Sequence, residues 1–324
     1  MNVTGTLPQL CGKQLNYLST NTPFYFSPRP DLFSFISDHY LSLAAPFVAY
    51  WVLSLLFHVL DVSEWKWLDQ YRLHESAEVK ARNLVSRSDV VKAVIFQQFI
   101  QTIIGLWWMD DNQIGVGIEH VKSMLDLLPT FTTLFGGVIG DSATKQILGD
   151  HGHVLLYTYY WWVAPVVRFL FGIFIIDTWQ YFLHRAMHNN TFLYKTLHSV
   201  HHRLYVPYAF GALYNHPLEG FLLDTLGAGI AEYLAGMTTR EAMLLFTIST
   251  MKTVDDHCGY KLPFDPLQVI FANNADYHDI HHQIIGIKSN FSQPFFIHWD
   301  VILGTRMTRK DIESRRRKAA TKTE

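Results

Sequence analysis

Three short histidine boxes are the part of this sequence best suited to chemistry. Box one is H-x3-H, boxes two and three are both H-x2-H-H, and together they hold eight of the 17 histidines. On a helix, residues i, i+3 and i+4 share one face, so each box would direct its imidazoles to one side as a set of ligands. Neutral imidazole suits iron, zinc, copper and nickel rather than magnesium or calcium. The predicted metal ligands are His184 and His188 in box one, His198, His201 and His202 in box two, and His278, His281 and His282 in box three.

The number of imidazoles indicates two metal ions. One ion uses about four to six ligands, so eight imidazoles suit a pair of ions that keeps positions open for dioxygen or water. Carboxylate di-iron bundles use a Glu-x-x-His pair, which this sequence lacks. Structural zinc is rarely bound by histidine alone, and a zinc hydrolase would use only about three of the boxed residues. The residue types leave the identity of the metal open, but two redox-active ions account best for the count.

Apolar runs predict the elements that position the boxes. Hydrophobic residues make up 49% of the chain. Leu41–Leu60 holds twenty residues without a charge, which on a helix spans about 30 Å, the thickness of a bilayer's hydrocarbon core. Ala93–Met109 is a second such run, and Val154–Ile176 is a third that only Arg168 interrupts. Box one follows the third run closely. We therefore expect an all-α, polytopic integral membrane protein with a histidine-rich di-metal catalytic cap.

A fourth region, Leu218–Thr250, is apolar but carries charges that lipid would not tolerate. We expect a hairpin of short helices there, partly re-entrant or buried against protein. Its glycines would permit close contacts between helices. The charged residues are Glu219, Asp224, Glu232, Arg240 and Glu241, and the glycines are Gly227, Gly229 and Gly236.

The distribution of basic residues predicts the orientation. The link 61–92 holds six Lys or Arg residues, whereas 110–153 holds two against six acids, and the tail after Gly304 is strongly basic. We expect the link, the tail and the boxes on the cytosolic side. The predicted division is an N-terminal membrane region with a luminal segment at 1–153, a catalytic domain at 154–308 and a basic cytosolic tail at 309–324. The net charge of −2 argues against a nucleic-acid partner.

The boxes and their flanking residues resemble the fatty acid hydroxylase superfamily, which includes sterol desaturases, methyl-sterol oxidases and sphingolipid hydroxylases. The order and spacing of the boxes match over about residues 165–308. Within the superfamily the flanking residues are most similar to fungal sphinganine 4-hydroxylases. The similar segments are HRAMHNNTFLYKTLHSVHHRLYVPYAFGALYNHPLEG at 184–220, DDHCGYKLPFDP at 255–266 and ANNADYHDIHHQIIGIKSNFSQPFFIHWDVILGT at 272–305.

The resemblance implies a chemistry that spacing alone does not. It implies two iron ions, dioxygen, and electrons from NADPH through cytochrome b5 or a related reductase, in the endoplasmic reticulum membrane. The implied substrate is a long-chain sphingoid base or its ceramide, hydroxylated at carbon 4. Sterol desaturation or methyl-sterol oxidation at the same metal site is an alternative. A histidine-rich membrane metal transporter or sensor is a non-enzymatic alternative, which would need a polar path through the bilayer.

The resemblance also adds candidate ligands. His216 and His257 match family positions and would give each metal about five nitrogens; hydrogen-bonded structural histidines are the alternative. Because a ligating imidazole commonly donates its other N–H to a carboxylate, Asp177 and Asp256 are candidate partners of the ligands. We expect Cys258 to be a small buried residue. The remaining histidines we expect to be structural or on the surface: His39, His58, His74, His120, His151, His153 and His298.

Overall fold

The computed structural model describes residues 10–63, 65–108 and 118–320, and over these residues the chain forms helices and no β-strand. This confirms the predicted all-α class. The helices are α1 (Gly12–Thr20), α2 (Asp38–Ser63), α3 (Lys66–Asp69), α4 (Ser76–Arg82), α5 (Arg87–Trp108), α6 (Ile118–Leu125), α7 (Leu128–Ile139), α8 (Asp141–Thr158), α9 (Ala164–Asn189), α10 (Thr191–Leu193), α11 (Pro217–Gly220), α12 (Leu226–Ala235), α13 (Thr239–Asp256), α14 (Pro266–Ile270), α15 (Ala275–His282), α16 (His298–Ile302) and α17 (Arg309–Ala320). Met109, predicted to end the second span, lies outside the described residues, as do 1–9 and 321–324 of the predicted terminal segments.

Three helices are long and apolar enough to cross a membrane: α2, α5 and a continuous helix over Asp141–Asn189. The last consists of α8, a π-helical turn at Tyr159–Val163, and α9. Large apolar side chains stay exposed along these helices, for example Val52 at 62% on α2 and Phe99 at 61% on α5. Contiguous exposed apolar faces are unfavourable in water and fit lipid. The three predicted spans are therefore confirmed as long apolar helices, and the third helix extends beyond its apolar run to carry box one.

The π-helical turn has a local cause in Pro165. Proline has no backbone N–H, so it cannot complete the helical hydrogen bond to the preceding turn. The carbonyl of Trp161, four residues earlier, instead accepts a hydrogen bond from the Tyr25 hydroxyl. The long helix thus continues through the proline with its freed carbonyl satisfied.

The described residues fall into two compact units, drawn from Met1–Asp38, Asp111–Leu170 and Met237–Glu241, and from His39–Asp110, Phe171–Gly236 and Ala242–Glu324. The first unit has its own core, which includes Leu18, Met124 and Trp161. The second unit contains all three boxes. Its core packs α2 and α5 against 208–214, and the Tyr50 hydroxyl donates to the Phe210 carbonyl at 2.7 Å. The predicted division at 153/154 and 308/309 stays a prediction.

The region 218–254 forms α11, a π-helical segment at Phe221–Thr225, α12 and most of α13, in agreement with the predicted short helices. A Cβ atom at Gly227 would lie 2.7 Å from Trp179, and one at Gly229 would lie 3.2 Å from Trp108, so both glycines permit close contacts as predicted. Gly236 differs, because it ends α12 with φ at 61° and has open space around it. Its role is conformational, since a side chain disfavours positive φ.

Two charges of this region are neutralised within the first unit. Glu241 binds Arg168, which interrupts the third apolar run, through two hydrogen bonds of 2.6 and 3.1 Å. Arg240 binds Asp38 at 2.5 Å. Paired charges of this kind are tolerated near lipid because neither charge is left without a partner.

Candidate metal centre

Each box lies at the end of a helical segment. His184 and His188 are one turn apart in the last part of α9. His198 ends a π-helical segment at Tyr194–His198, a form of helix that is frequent at functional sites. Box three occupies the end of α15, whose start is capped by Asn274 through a hydrogen bond that its side chain accepts from the Tyr277 N–H. Helix ends thus bring the three boxes together.

The imidazoles form two buried groups, which we name cluster A and cluster B. Within each cluster, the potential ligand atoms lie within 4.8 Å of one another. The cluster members are 0 to 7% exposed. Cluster A consists of His184, His188, His198, His202 and His281, and cluster B consists of His201, His257, His278 and His282.

Each cluster contains histidines from more than one box. Residues i and i+4 of a box share a cluster, whereas the residue at i+3 belongs to the other cluster. Box two thereby contributes His201 to cluster B, and box three contributes His281 to cluster A. The prediction that each box directs all its imidazoles to one site as a unit is wrong. The reason is that i+3 and i+4 diverge by about 100° around a helix, so a box at an interface can serve two sites.

The Nδ1 atoms of five of the nine imidazoles are held by backbone carbonyls. His184 donates to Phe291 O at 2.8 Å, His201 to Tyr214 O at 3.0 Å, and His281 to Ser289 O at 2.7 Å. The same arrangement occurs at His257 with Thr253 O and at His282 with Leu204 O, both at 2.8 Å. Such bonds set the tautomer and the orientation of a ligating ring.

The Nε2 atoms consequently point their lone pairs at one another. When Nδ1 is the donor of a neutral ring, Nε2 is unprotonated. In cluster A, Nε2 of His198, whose Nδ1 lies 2.5 Å from a carboxylate oxygen of Glu219, lies 3.0 Å from that of His184. In cluster B, Nε2 of His257 lies 3.4 Å from that of His201. Facing lone pairs repel, whereas a cation with nitrogen ligands at about 2.0–2.1 Å separates them by about this distance. The donor set therefore fits metal ions.

The protonation equilibria favour the metal-binding form. Burial lowers the pKa of His201 to about 4, and burial together with His201 lowers the pKa of His257 to about 3. Burial and then the neighbouring imidazoles hold the pKa of His202, His278 and His282 well below the usual 6.5. Neutral rings are ready to bind a metal at physiological pH, because no proton must first be displaced.

One carboxylate bonds a cluster imidazole, and sequence reasoning had not assigned it that role. Glu219 Oε1 accepts from Nδ1 of His198 at 2.5 Å, and the side chain is 1% exposed. The two aspartates named from the sequence bond other groups. Asp177 accepts the N–H groups of Phe295 and Phe296, while Asp256 binds Lys252 and Asn273. A charge in an apolar segment was the available signal for Glu219, but its partner is 21 residues away.

Asp300 is a second residue that spacing did not single out. It is fully buried and accepts the backbone N–H groups of Phe291 and Ser292 at 3.0 and 2.8 Å. This loop supplies the carbonyls that orient His184 and His281. Asp300 thus positions ligands of cluster A without touching them.

His216 lies outside both clusters. Its Nδ1 accepts a hydrogen bond from the Leu218 N–H at the start of α11, an arrangement that uses the ring as a helix cap. His257, the other histidine suggested by the resemblance, is in cluster B. Among the remaining histidines, His74 has a structural contact, because its Nε2 lies 2.7 Å from Asp279 in box three. Cys258 is 1% exposed, as predicted.

Known proteins share this organisation of the sequence. The fatty acid hydroxylase family model matches residues 169–305, which include every cluster member. Sphingolipid C4-hydroxylase SUR2 of Saccharomyces cerevisiae is 49% identical over 86% of this chain and 74% of its own length. The chain belongs to the fatty acid hydroxylase family.

Other relatives extend over similar lengths. Sphinganine C4-monooxygenase 2 of Arabidopsis thaliana is 45% identical to this chain over 83% of the chain and 88% of the relative. Very-long-chain aldehyde decarbonylase GL1-9 of Oryza sativa is 40% identical over 84% of the chain and 90% of the relative. No solved structure matches the chain. The family consists of non-haem iron monooxygenases, which agrees with the histidine clusters.

Proposed function

We propose that this chain is a membrane monooxygenase that hydroxylates carbon 4 of sphinganine or dihydroceramide, giving phytosphingosine-type products. The observation that carries the proposal is the pair of buried histidine clusters in a chain that is 49% identical to a sphingolipid C4-hydroxylase. The relatives at 49% and 45% identity that are cited above both carry C4-hydroxylating names, whereas the decarbonylase is at 40%.

Two iron ions are the cofactors that we propose, one held by cluster A and one by cluster B. Bound there, they would activate dioxygen so that one oxygen atom enters a C–H bond and the other leaves as water, with two electrons and two protons supplied from outside. His216 is not needed for this set, because nine imidazoles already converge. The sequence-based assignment of His216 as a ligand stays a prediction.

The residues of the chain prepare the site for this chemistry in two ways. Backbone carbonyls fix five of the nine rings through Nδ1 before a metal binds, so little ordering of those rings is needed on binding. Burial of both clusters limits the access of water, which strengthens electrostatic interactions and suppresses side reactions. The Glu219 carboxyl group fixes the ring of His198, and a cation bound in cluster A would favour the charged form of this carboxyl group.

The electron donor that we propose is a cytochrome b5-type protein fed by NADPH, acting at the cytosolic face of the endoplasmic reticulum. The chain has no Gly-x-Gly-x-x-Gly segment for a nicotinamide or flavin. The exposed basic run Arg315–Lys318 of α17 supports a cytosolic orientation. In sealed microsomes, a tag after Glu324 should be open to protease, and a tag inserted near Asp141 should be protected. The opposite pattern would reject this orientation.

Expression in cells that lack sphinganine 4-hydroxylase tests the reaction. The expected result is a dioxygen-dependent conversion of dihydrosphingosine-type bases into phytosphingosine-type bases, detected by mass spectrometry. Loss of a carbon from the chain would favour a decarbonylase, and changes confined to sterols would favour methyl-sterol oxidation. Either result would reject carbon 4 hydroxylation and leave the metal centre intact.

A further inference from the structure

A cavity of about 180 Å³ lies within the second unit. Its apolar walls come from α2, α5 and α13, and include Leu43, Phe47, Trp108 and Phe246. The volume corresponds to about six water molecules at liquid density. That is room for the seven non-hydrogen atoms of a sphingoid head group through carbon 4, with the alkyl chain continuing along the apolar walls.

The helices that line the cavity also carry residues of both histidine clusters. Ile176 and Gln180 line it and precede His184 of cluster A by two turns and one turn on the same face of α9. Thr253 also lines it, and the Thr253 carbonyl holds Nδ1 of His257 in cluster B. A molecule at this end of the cavity would therefore lie about one helical turn from residues of both clusters.

Two carboxylates face the cavity, and the residues that line it include no lysine, arginine or histidine. They belong to Asp224 and Glu232. An acidic group in an apolar pocket is costly unless a cation compensates it. Because the walls supply no cation, the pocket is suited to a ligand that brings its own positive charge.

Asp224 is the carboxylate closer in sequence to residues that hold the metal ligands. It lies on the π-helical segment that follows Glu219, the partner of His198. Its side chain interacts with Asn215, and Asn215 follows Tyr214, whose carbonyl holds His201. Glu232 lies eight residues further along the helical chain, which is about 12 Å at 1.5 Å per residue.

We propose that Asp224 binds the protonated amine of a free sphingoid base and so selects the free base over its N-acylated form. This inference rests on the proposed function. The amine is on carbon 2, two bonds from the reacting carbon 4, so its partner should be the carboxylate that follows the residues holding the ligands, which is Asp224 rather than Glu232. In a ceramide the same nitrogen is a neutral amide and offers no charge to Asp224.

The test compares two substrates in membranes of cells that lack endogenous 4-hydroxylase. The substrates are sphinganine and N-hexanoyl-sphinganine, which differ in the charge on nitrogen, and products are quantified by mass spectrometry. Asp224→Asn is nearly isosteric and removes the charge. It should raise the KM for sphinganine by about tenfold or more, the size of one lost ionic contact, with a smaller change in kcat. Its activity on the neutral amide should stay at the parent level, which also shows that the variant is folded.

Two further variants serve as comparisons for Asp224→Asn. Asp150→Asn makes the same chemical change at an exposed position and should behave like the parent. Glu232→Gln should change the KM for sphinganine less than Asp224→Asn does. The inference is overturned if Asp224→Asn affects both substrates equally, if Glu232→Gln has the larger effect, or if the parent prefers the neutral amide. If the parent hydroxylates neither substrate at carbon 4, the proposed function itself fails, and the inference fails with it.

Discussion

The Nδ1 atom of His198 lies 2.5 Å from Oε1 of Glu219, and each residue is only 1% exposed. A carboxylate behind a ligating imidazole raises the basicity of the ring and fixes its orientation, and its loss commonly weakens metal binding. The contact connects α11 to box two across 21 residues of sequence. It makes Glu219 part of the metal centre although Glu219 is not itself a member of a cluster.

Replacing Glu219 should weaken metal binding, and the extent of the loss should depend on the new side chain. Glu219→Gln keeps an oxygen acceptor for His198 but loses the charge, so the affinity for metal should fall by about 10- to 100-fold. Glu219→Ala also removes the acceptor and should lower the affinity further. Competition with a chelator, using protein purified in detergent, measures both effects. Glu313→Gln, on an exposed ion pair of α17, is the matched control. Unchanged affinity in Glu219→Gln would contradict this role.

The interleaving of the boxes predicts an unusual pattern of metal loss. His278 and His282 lie in cluster B, so replacing both with Ala should leave about one metal ion per chain. His201 and His202 are neighbours in box two but belong to different clusters, so replacing both should deplete both sites. Metal content by inductively coupled plasma mass spectrometry distinguishes these results. If box two served a single ion, the His201 and His202 pair would instead leave one ion in place.

The structure predicts that His216 stabilises α11 and does not bind a metal ion. Because its Nδ1 caps α11 and the ring lies outside both clusters, His216→Ala should retain two metal ions while losing about 1 kcal/mol of stability as a lost cap. His151→Ala, at an exposed position, should retain both the metals and the stability. Loss of a metal ion from His216→Ala would restore the family-based assignment of His216 as a ligand.

Asp300 should be required for stability as well as for the metal centre. Asp300→Ala leaves the buried N–H groups of Phe291 and Ser292 without an acceptor, at a cost of about 1–3 kcal/mol each. The loop then no longer holds the carbonyls that bind His184 and His281. A lower thermal midpoint and a lower metal content should appear together. A normal midpoint with normal metal content would contradict the positioning role.

The spacing of residues in the sequence was enough to predict those features of the fold that lie within a single helix. The pairs at i and i+4, such as His184 with His188, share a site because one helical turn separates them. The long apolar helices followed from hydropathy for the same reason. The spacing could not predict that His201 lies in cluster B and His281 in cluster A, apart from the other histidines of their boxes. That division depends on how the end of the π-helical segment at 194–198 meets α15.

Hydrogen-bond partners that come from distant parts of the chain could not be predicted from the sequence. Asp177 was expected to bond an imidazole, and it instead accepts N–H groups 118 and 119 residues away. Backbone carbonyls such as that of Phe291 hold the rings, and any residue type supplies a carbonyl. No pattern of residue types can therefore reveal them. Glu219 was visible only as a charge in an apolar segment.

Acid should destabilise the metal-depleted protein once the pH falls below about 6.5, the pKa of a histidine in an unfolded chain. Burial lowers the pKa of His201 to about 4, and burial with His201 lowers that of His257 to about 3. Between those values and 6.5 the unfolded chain binds more protons than the folded chain does. Stability therefore rises with pH in this window, by up to about 1.4 kcal/mol per pH unit for each histidine. Above pH 6.5 these two groups add no pH dependence.

The measurement is the thermal midpoint of metal-depleted protein at pH 8, 7, 6 and 5. The midpoint should fall from pH 7 toward pH 5. A variant with both His201→Gln and His257→Gln cannot take up these two protons on unfolding, so its midpoint should fall less over the same range. Added metal should raise the parent's midpoint at each pH, because it binds the folded chain with neutral imidazoles. A midpoint that stays flat from pH 7 to 5, or a slope that the double variant leaves unchanged, would show that these imidazoles are not held neutral by burial.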